Sequence, residues 1–282
     1  SSIDSAPPPE LDRVEMSLIV SKISDYEAEV NFRNRYSQSS SNTDAARFWA
    51  KRPSFETLPP IKHFAAIFLP VLRDSPFGWV SCERAYFDYI DWLINIVNHL
   101  KAIGIPMIIR CHPSSKSWGE NTVKILKLQG IGEESNSVWI DESTRFDPLE
   151  LMRRSKYLIS YKGSIAAEAA AIGKKTIVFE RNSVSEYCPR LVRLVRSHDE
   201  FCKIVKQSTE TLADSDRLLA KKLLLAREKY NGYRNLLDSD VVFSSQSPAD
   251  RDLLRARLRS SVKANLDFLI DEGKKLFERQ RI

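Results

Sequence analysis

Residues 157–172, with the sequence YLISYKGSIAAEAAAI, carry the pattern that decides the fold. An apolar run of strand length, Tyr157–Ser160, passes through Gly163 into a helix of small residues that starts at Ser164. Glycine permits the tight turn that such a junction needs, and serine is a residue type that caps helix N-termini. A buried strand followed at once by a helix is the unit from which parallel sheets are built. The stretch therefore predicts one strand-helix unit of a parallel sheet.

The same alternation extends to both sides of this unit. Five further apolar runs of strand length lie at residues 64–72, 106–111, 137–140, 176–179 and 191–195. Segments of helical period separate them, at residues 85–103, 121–128 and 148–154. Continuous apolar runs indicate strands covered on both faces, and their alternation with helices indicates right-handed crossovers. We predict an α/β fold, a Rossmann-like doubly wound parallel sheet, over residues 62–205.

The two ends of the chain have a different character. Proline and serine clusters punctuate residues 1–61, which indicates a helical N-terminal arm or the remnant of another domain. Residues 206–282 read as a C-terminal helical extension, with long helices expected at 212–230 and 247–281. Because the chain begins Ser-Ser, without an initiator methionine or a signal segment, we expect it to be a piece of a longer protein.

Composition excludes several classes. Hydrophobic residues make up 43% of the chain and charged residues 28%, as in soluble globular proteins. No run approaches the roughly 20 apolar residues of a membrane span. The four cysteines include no CxxC pair, so neither a zinc site nor a disulfide framework is indicated, and a cytoplasmic location is expected. His99 and His198 read as structural or exposed.

Ligands of open parallel sheets bind beyond the carboxyl ends of the strands, so the strand ends are the candidate site. The second run ends in Arg110, Cys111, His112 and Pro113. A histidine at such a strand end can donate to a phosphate oxygen or protonate a leaving phosphate, and a neighbouring arginine can offset its charge. We predict that Arg110, His112 and Pro113 contact a nucleotide; the alternative is a structural histidine.

The run that opens this section supplies a second group of candidates. Its ligand candidates are Ser160, Lys162, Gly163, Ser164 and Glu168. The helix N-terminus offers N–H groups to a phosphate, and a glutamate one turn further can accept hydrogen bonds from ribose hydroxyls. The alternative is a capping serine followed by an exposed glutamate.

Carboxylates follow two other strands. Asp74, after the first run, is a candidate general base, nucleophile or metal ligand, or else the cap of a turn. Asp141 and Glu142, after the third run, would lie near the base or the ribose of a nucleotide, or else in a solvated loop. The chain contains no GxGxxG, GxxxxGK[ST], GxSxG or HExxH motif, so NAD-type dehydrogenases, P-loop NTPases, α/β-hydrolases and zincins are not supported.

The chain resembles the nucleotide-binding half of GT-B glycosyltransferases at Asp74, 110–113 (RCHP), 160–164 (SYKGS), Glu168 and 173–179 (GKKTIVF). The likeness is greatest to bacterial capsule and surface-polysaccharide enzymes of the Kdo-transferase-like group, which show an IIRxHP strand and an S-x-x-x-E-A-x-x-x-G-K helix. It covers about residues 64–190 and implies binding of a nucleotide sugar, with a CMP-linked acidic sugar as the first candidate.

The resemblance implies roles for particular residues. His112, Ser160, Ser164 and Glu168 would hold the donor phosphate and its nucleoside. Asp74 would act as base or nucleophile in transfer of the sugar to a polysaccharide or glycolipid acceptor. Because no DxD-like cluster lies near the strand ends, no metal or other cofactor is expected.

Two alternatives remain open. CDP-polyol phosphotransferases of teichoic acid synthesis look similar, but they usually show an Asp-Tyr-Ser-Ser run where this chain has residues 160–164. A non-catalytic adaptor would use its basic helices, at 217–234 and 251–259, to dock on a partner protein or on the inner face of the membrane. Nucleic-acid binding is not expected, because aromatic residues do not interleave with the basic ones.

Overall fold

A computed structural model describes residues 16–17, 19–35, 56–72, 86, 88–132, 138–142, 145–161, 163–180, 184, 187–207 and 210–236. The chain divides into two compact units, residues 1–228 and 229–282, and the described side chains belong to the first. Asp74, Lys162 and the helix expected at 247–281 lie outside the described residues.

The described residues form one six-stranded parallel sheet. Its strands are β1 (Ala65–Phe68), β2 (Met107–Arg110), β3 (Val138–Asp141), β4 (Tyr157–Ser160), β5 (Thr176–Val178) and β6 (Val192–Leu194). They lie in the order β3-β2-β1-β4-β5-β6, and every pairing is parallel. The order reverses between β1 and β4, which is the signature of a doubly wound sheet. The predicted Rossmann-like α/β fold is confirmed.

Helices connect these strands and flank them. They include α1 (Asp25–Arg35), α2 (Tyr89–Ala102), α3 (Thr122–Leu128), α4 (Pro148–Arg154), α5 (Ile165–Ala171), α6 (His198–Ile204) and α7 (Asp214–Leu236). Short 3-10 helices span Ser115–Trp118 and Pro189–Leu191. Across the part of the chain that the structure describes, none of the helices has the length and apolar character needed to span a membrane.

Both faces of the sheet are buried. Successive strand residues point to opposite faces, so Ile67 and Ile159 pack with α2 and α6, whereas Ala66 and Leu158 pack with α4 and α5. The α2 side contributes Trp92, Leu93, Ile96 and Leu100, all without exposed surface. Apolar layers on both faces account for the continuous apolar runs of the sequence. The sheet is thereby held rigid, and its carboxyl edge is left for the polar strand ends.

Candidate functional site

The candidate residues that the structure describes lie at the carboxyl edge of the sheet, and two groups of them flank the point where the strand order reverses. Phe68, the last residue of β1, pairs with Arg110 on one side and with Ser160 on the other. Strands in a sheet are about 4.8 Å apart, so the ends of β2 and β4 are roughly 10 Å apart across β1. His112 follows the end of β2 by two residues, and Gly163 follows the end of β4 by three. The topology therefore brings these two segments to the same edge of the sheet.

Ser160 connects the two strands that border the reversal. It is buried, and its Oγ donates to the main-chain carbonyl of Phe68 at 3.1 Å. The Ser160 hydroxyl thus forms a hydrogen bond that links β4 to β1. This hydrogen bond is a structural contribution of Ser160, distinct from the phosphate contact that the sequence predicts for it.

The turn after β4 has the backbone that the sequence indicates. Gly163 has a φ of +125°, a conformation that residues with a Cβ rarely adopt. Ser164 occupies the N-cap position of α5, but its side chain makes no capping hydrogen bond. Its Oγ instead donates to Glu168 Oε1 at 3.5 Å. Ser164 thus lies at the N-cap position that the sequence predicts, but its hydroxyl is directed along the helix towards the carboxylate and does not cap the helix.

Glu168 is buried rather than exposed, with 9% of its surface accessible. Arg35, at the end of α1, donates from Nη2 to Glu168 Oε1 at 3.0 Å. The two side chains are 10% and 11% exposed, so the ion pair lies largely out of water. Helix α1 thus places the Arg35 guanidinium beside the first turns of α5.

A second arginine, Arg227 on α7, lies close enough to interact with the charges of Arg35 and Glu168. Burial is the main cause that lowers the pKa of Arg227, and repulsion from Arg35 lowers it further. Glu168 and Tyr187 act in the opposite direction. An arginine keeps its proton in proteins, so two positive charges face one carboxylate here. The cluster of Arg35, Glu168 and Arg227 carries a net charge of about +1 and favours an anion.

Sequence reasoning missed both arginines. They lie on helices far from the strand ends in sequence, and basic residues on amphipathic helices are usually solvated. No local motif marks Arg35 or Arg227. Only the tertiary structure brings them near Glu168.

At the end of β2, Arg110 is engaged inside the fold. Its Nη1 donates to Asp141 Oδ2 at 2.6 Å and to the main-chain carbonyl of Phe146. The Arg110 and Asp141 side chains are 3% and 0% exposed. Burial raises the pKa of Asp141 to about 6, although Arg110 pulls it down. This pair joins β2 to β3. Because the two side chains bind each other, neither is among the nucleotide ligands that we propose.

His112 is half-buried, and the turn that follows it orients its ring. Nδ1 accepts a hydrogen bond from the Ser114 N–H at 3.1 Å, and the His112 carbonyl accepts one from the Ser115 N–H at 3.1 Å. With Nδ1 as acceptor, the neutral ring carries its proton on Nε2, which is then a donor. Pro113 is half-buried in this turn, and Glu142 is exposed.

A cavity with basic walls lies at the opposite, amino edge of the sheet. Its lining includes Lys174, Lys175, Arg193 and Glu210. Lys174 donates to the carbonyls of two residues, while Lys175 and Arg193 both bind Glu210. Because these cations already have partners, this cavity is a weaker anion site than the α5 cluster.

Solved structures with a similar fold include three that act in sugar or polymer chemistry. UDP-GlcNAc 2-epimerase of Methanocaldococcus jannaschii has 14% identity and a TM-score of 0.42, over 80% of this chain and 61% of the other. KpsC of Thermosulfurimonas dismutans, a beta Kdo 2,4 transferase, has 13% identity and a TM-score of 0.42, over 74% and 59%. The wall teichoic acid polymerase TagF has 15% identity and a TM-score of 0.32, over 82% and 52%.

This chain spans about half to three fifths of the length of each of those proteins. No protein-family model matches the sequence, and no curated protein matches it. At such identities and TM-scores the likeness carries no argument about activity, and the fold rests on the strand order given above. A Kdo transferase and a teichoic acid polymerase are both among these similar structures.

Proposed function

We propose that this chain is the nucleotide-binding half of a GT-B-type glycosyltransferase and that it binds a nucleotide sugar. The observation that carries the proposal is the cluster of Arg35, Glu168 and Arg227. It lies at the first turns of α5, on the edge of the sheet where the strand order reverses. Nucleotides bind at this position in doubly wound sheets.

The positive charge of the cluster suits a phosphate group. Glu168 faces both arginines, and the burial of Arg227 makes a further anionic partner more valuable. Guanidinium groups bind phosphate oxygens through two parallel hydrogen bonds. Arg227 is therefore the first phosphate ligand that we propose, with Arg35 beside it.

Glu168 and Ser164 would hold the nucleoside. A carboxylate has about four lone-pair sites, so Glu168 can accept from ribose hydroxyls while it keeps Arg35. The Ser164 hydroxyl already points along the helix to the same carboxylate oxygen. We assign Glu168 to the ribose and Ser164 to the phosphate or ribose next to it.

His112 and Asp74 are the proposed catalytic residues. In the transfer, the bond between the anomeric carbon of the sugar and the donor phosphate oxygen breaks, and an acceptor hydroxyl oxygen bonds to that carbon. The Nε2–H of His112 would donate to the departing phosphate. In an inverting reaction Asp74 would take the acceptor proton. In a retaining one it would attack the anomeric carbon, and the acceptor oxygen would then displace it. The acceptor proposed is a surface polysaccharide or glycolipid, and the donor a CMP-linked acidic sugar.

Calorimetry with CMP, CDP, UMP and UDP tests the proposal. The wild-type chain should bind at least one of them, with EDTA having no effect on the affinity, because no metal is proposed at the nucleotide site. Arg227→Met should weaken binding by about tenfold or more, since a charge-assisted hydrogen bond contributes about 1.5–3 kcal/mol.

The control is Arg153→Gln. Arg153 is an exposed arginine near the end of α4, at the amino edge of the sheet, and its replacement should leave affinity unchanged. Negligible heats with all four nucleotides would sink the proposal. Preference for CDP would favour a polyol phosphotransferase, and binding without turnover of any donor would favour an adaptor.

A further inference from the structure

Three metal-ligating side chains meet away from the carboxyl-edge site. His99 lies in the last turn of α2, and His198 and Cys202 lie one turn apart on α6. One donor atom from each side chain lies within 4.8 Å of the donor atoms of the other two. The Cys202 Sγ and the His99 Nδ1 are 3.3 Å apart. All three side chains are half-buried, between helices that pack on the same face of the sheet.

These separations suit a tetrahedral transition-metal ion. Zinc binds imidazole nitrogen at about 2.0–2.1 Å and thiolate sulfur at about 2.3 Å, which puts neighbouring ligand atoms roughly 3.5 Å apart. The pair of His99 and Cys202 already has this spacing. His198 and Cys202 are four residues apart, so both side chains lie on one face of α6. A closure of about 1 Å would bring the remaining atoms to bonding geometry.

A second contact orients one of the rings. The Tyr86 hydroxyl lies 2.8 Å from His198 Nδ1, and Tyr86 is buried. When Nδ1–H donates to the phenol oxygen, Nε2 carries the lone pair that a metal needs. Histidine ligands of metals commonly have such a partner on their other nitrogen. The ring of Phe201 packs against both histidines and would exclude water from its side of the cluster.

We infer that His99, His198 and Cys202 form a binding site for a thiophilic divalent ion of the zinc class. Thiolate and imidazole ligands select zinc over magnesium or calcium. On binding, the Cys202 thiol releases its proton to solvent, and water completes the fourth position. The ion would fasten α6 to α2. This inference is independent of the proposed nucleotide site, and the signal that sequence reasoning passed over was the His-x-x-x-Cys spacing at 198–202.

Co²⁺ and Zn²⁺ titrations of the chelator-stripped full chain test the site. One equivalent of Co²⁺ should give a thiolate charge-transfer band, and Zn²⁺ should abolish it. Cys202→Ser should remove the band, and His99→Asn should weaken binding by at least about 100-fold. Tyr86→Phe should weaken it by about 10–100-fold, as for other partners of histidine ligands.

Cys188→Ser is the matched control, because Cys188 is a half-buried cysteine outside the cluster. It should keep both the band and the affinity. In wild type and in Cys188→Ser, Zn²⁺ should also raise the unfolding temperature, which keeps the test valid if a ligand variant folds poorly. No Co²⁺ band in the wild-type chain, or a band that survives Cys202→Ser, would overturn the inference.

Discussion

Arg110 and Asp141 stand opposite each other in the β2–β3 ladder, and their side chains form a buried ion pair. Removing both charges from such a pair has little effect on stability, whereas removing one partner is costly. Arg110, which the sequence predicts as a phosphate ligand, thus binds Asp141 of the neighbouring strand β3 instead. The pair also makes stability depend on pH.

Burial raises the pKa of Asp141 from an ordinary value of 3.8 to about 6. Between those two values the folded protein binds more protons at this carboxyl than the unfolded chain does. The contribution of Asp141 to the free energy of unfolding therefore falls as the pH rises through this window, and it is constant above it. We expect the wild-type minus Asp141→Asn difference to fall by up to about 1.4 kcal/mol per pH unit there. Urea unfolding at several pH values measures it, and a difference that grows with pH would mean that Arg110 dominates instead.

At the scale of the element, two helices with cap residues of similar type differ in how they begin. Asp88 Oδ1 accepts from the N–H groups of Ile90 and Asp91, both at 2.8 Å, so it caps α2. Ser164 has the corresponding position on α5 without a side-chain capping bond. Asp88→Ala should therefore lower the free energy of unfolding by about 1 kcal/mol, and Ser164→Ala should change it little.

Thermal or urea unfolding measures both changes, with Asp88→Asn as the control that keeps an acceptor. If Ser164→Ala destabilises the chain as much as Asp88→Ala, the Ser164 hydroxyl acts as a cap after all. If Ser164→Ala is neutral for stability but weakens nucleotide binding, its hydroxyl belongs to the site.

The strands were predictable because burial on both faces leaves an unbroken apolar run, and β4 was predicted at Tyr157–Ser160 with its true bounds. The third run was placed at 137–140, whereas β3 is Val138–Asp141. Asp141 can end a buried strand because Arg110 on the neighbouring strand supplies the opposite charge. The sequence alone does not show which residues of two strands lie opposite each other. The sequence therefore predicts a loop for Asp141, near a ligand or in solvent, whereas the structure places Asp141 at the end of β3. The sequence does not predict that Arg35 and Arg227 belong to the site, because only tertiary packing buries them.

On the scale of the whole molecule, the site depends on segments from three parts of the chain. α1, α5 and α7 are far apart in sequence, and ion pairs hold the first to the last: Glu29 with Lys221, and Asp25 with Lys222. The same docking brings Arg35 to Glu168. The nucleotide affinity should thus depend on the ion pairs between α1 and α7, although these lie outside the proposed nucleotide site.

A double-mutant cycle of Glu29→Gln and Lys221→Gln tests that dependence. Lys221 is only 14% exposed, so we expect a coupling of about 0.5–1 kcal/mol in the free energy of unfolding, at the upper end for surface pairs. The Asp25–Lys222 cycle is the control: Asp25 is 69% exposed, and its coupling should be smaller. Both should shrink in about 1 M salt, where charges are screened beyond roughly 3 Å. Because α1 carries Arg35, the Glu29 and Lys221 variants should also weaken nucleotide binding, and unchanged affinity would show that α1 holds its place without them.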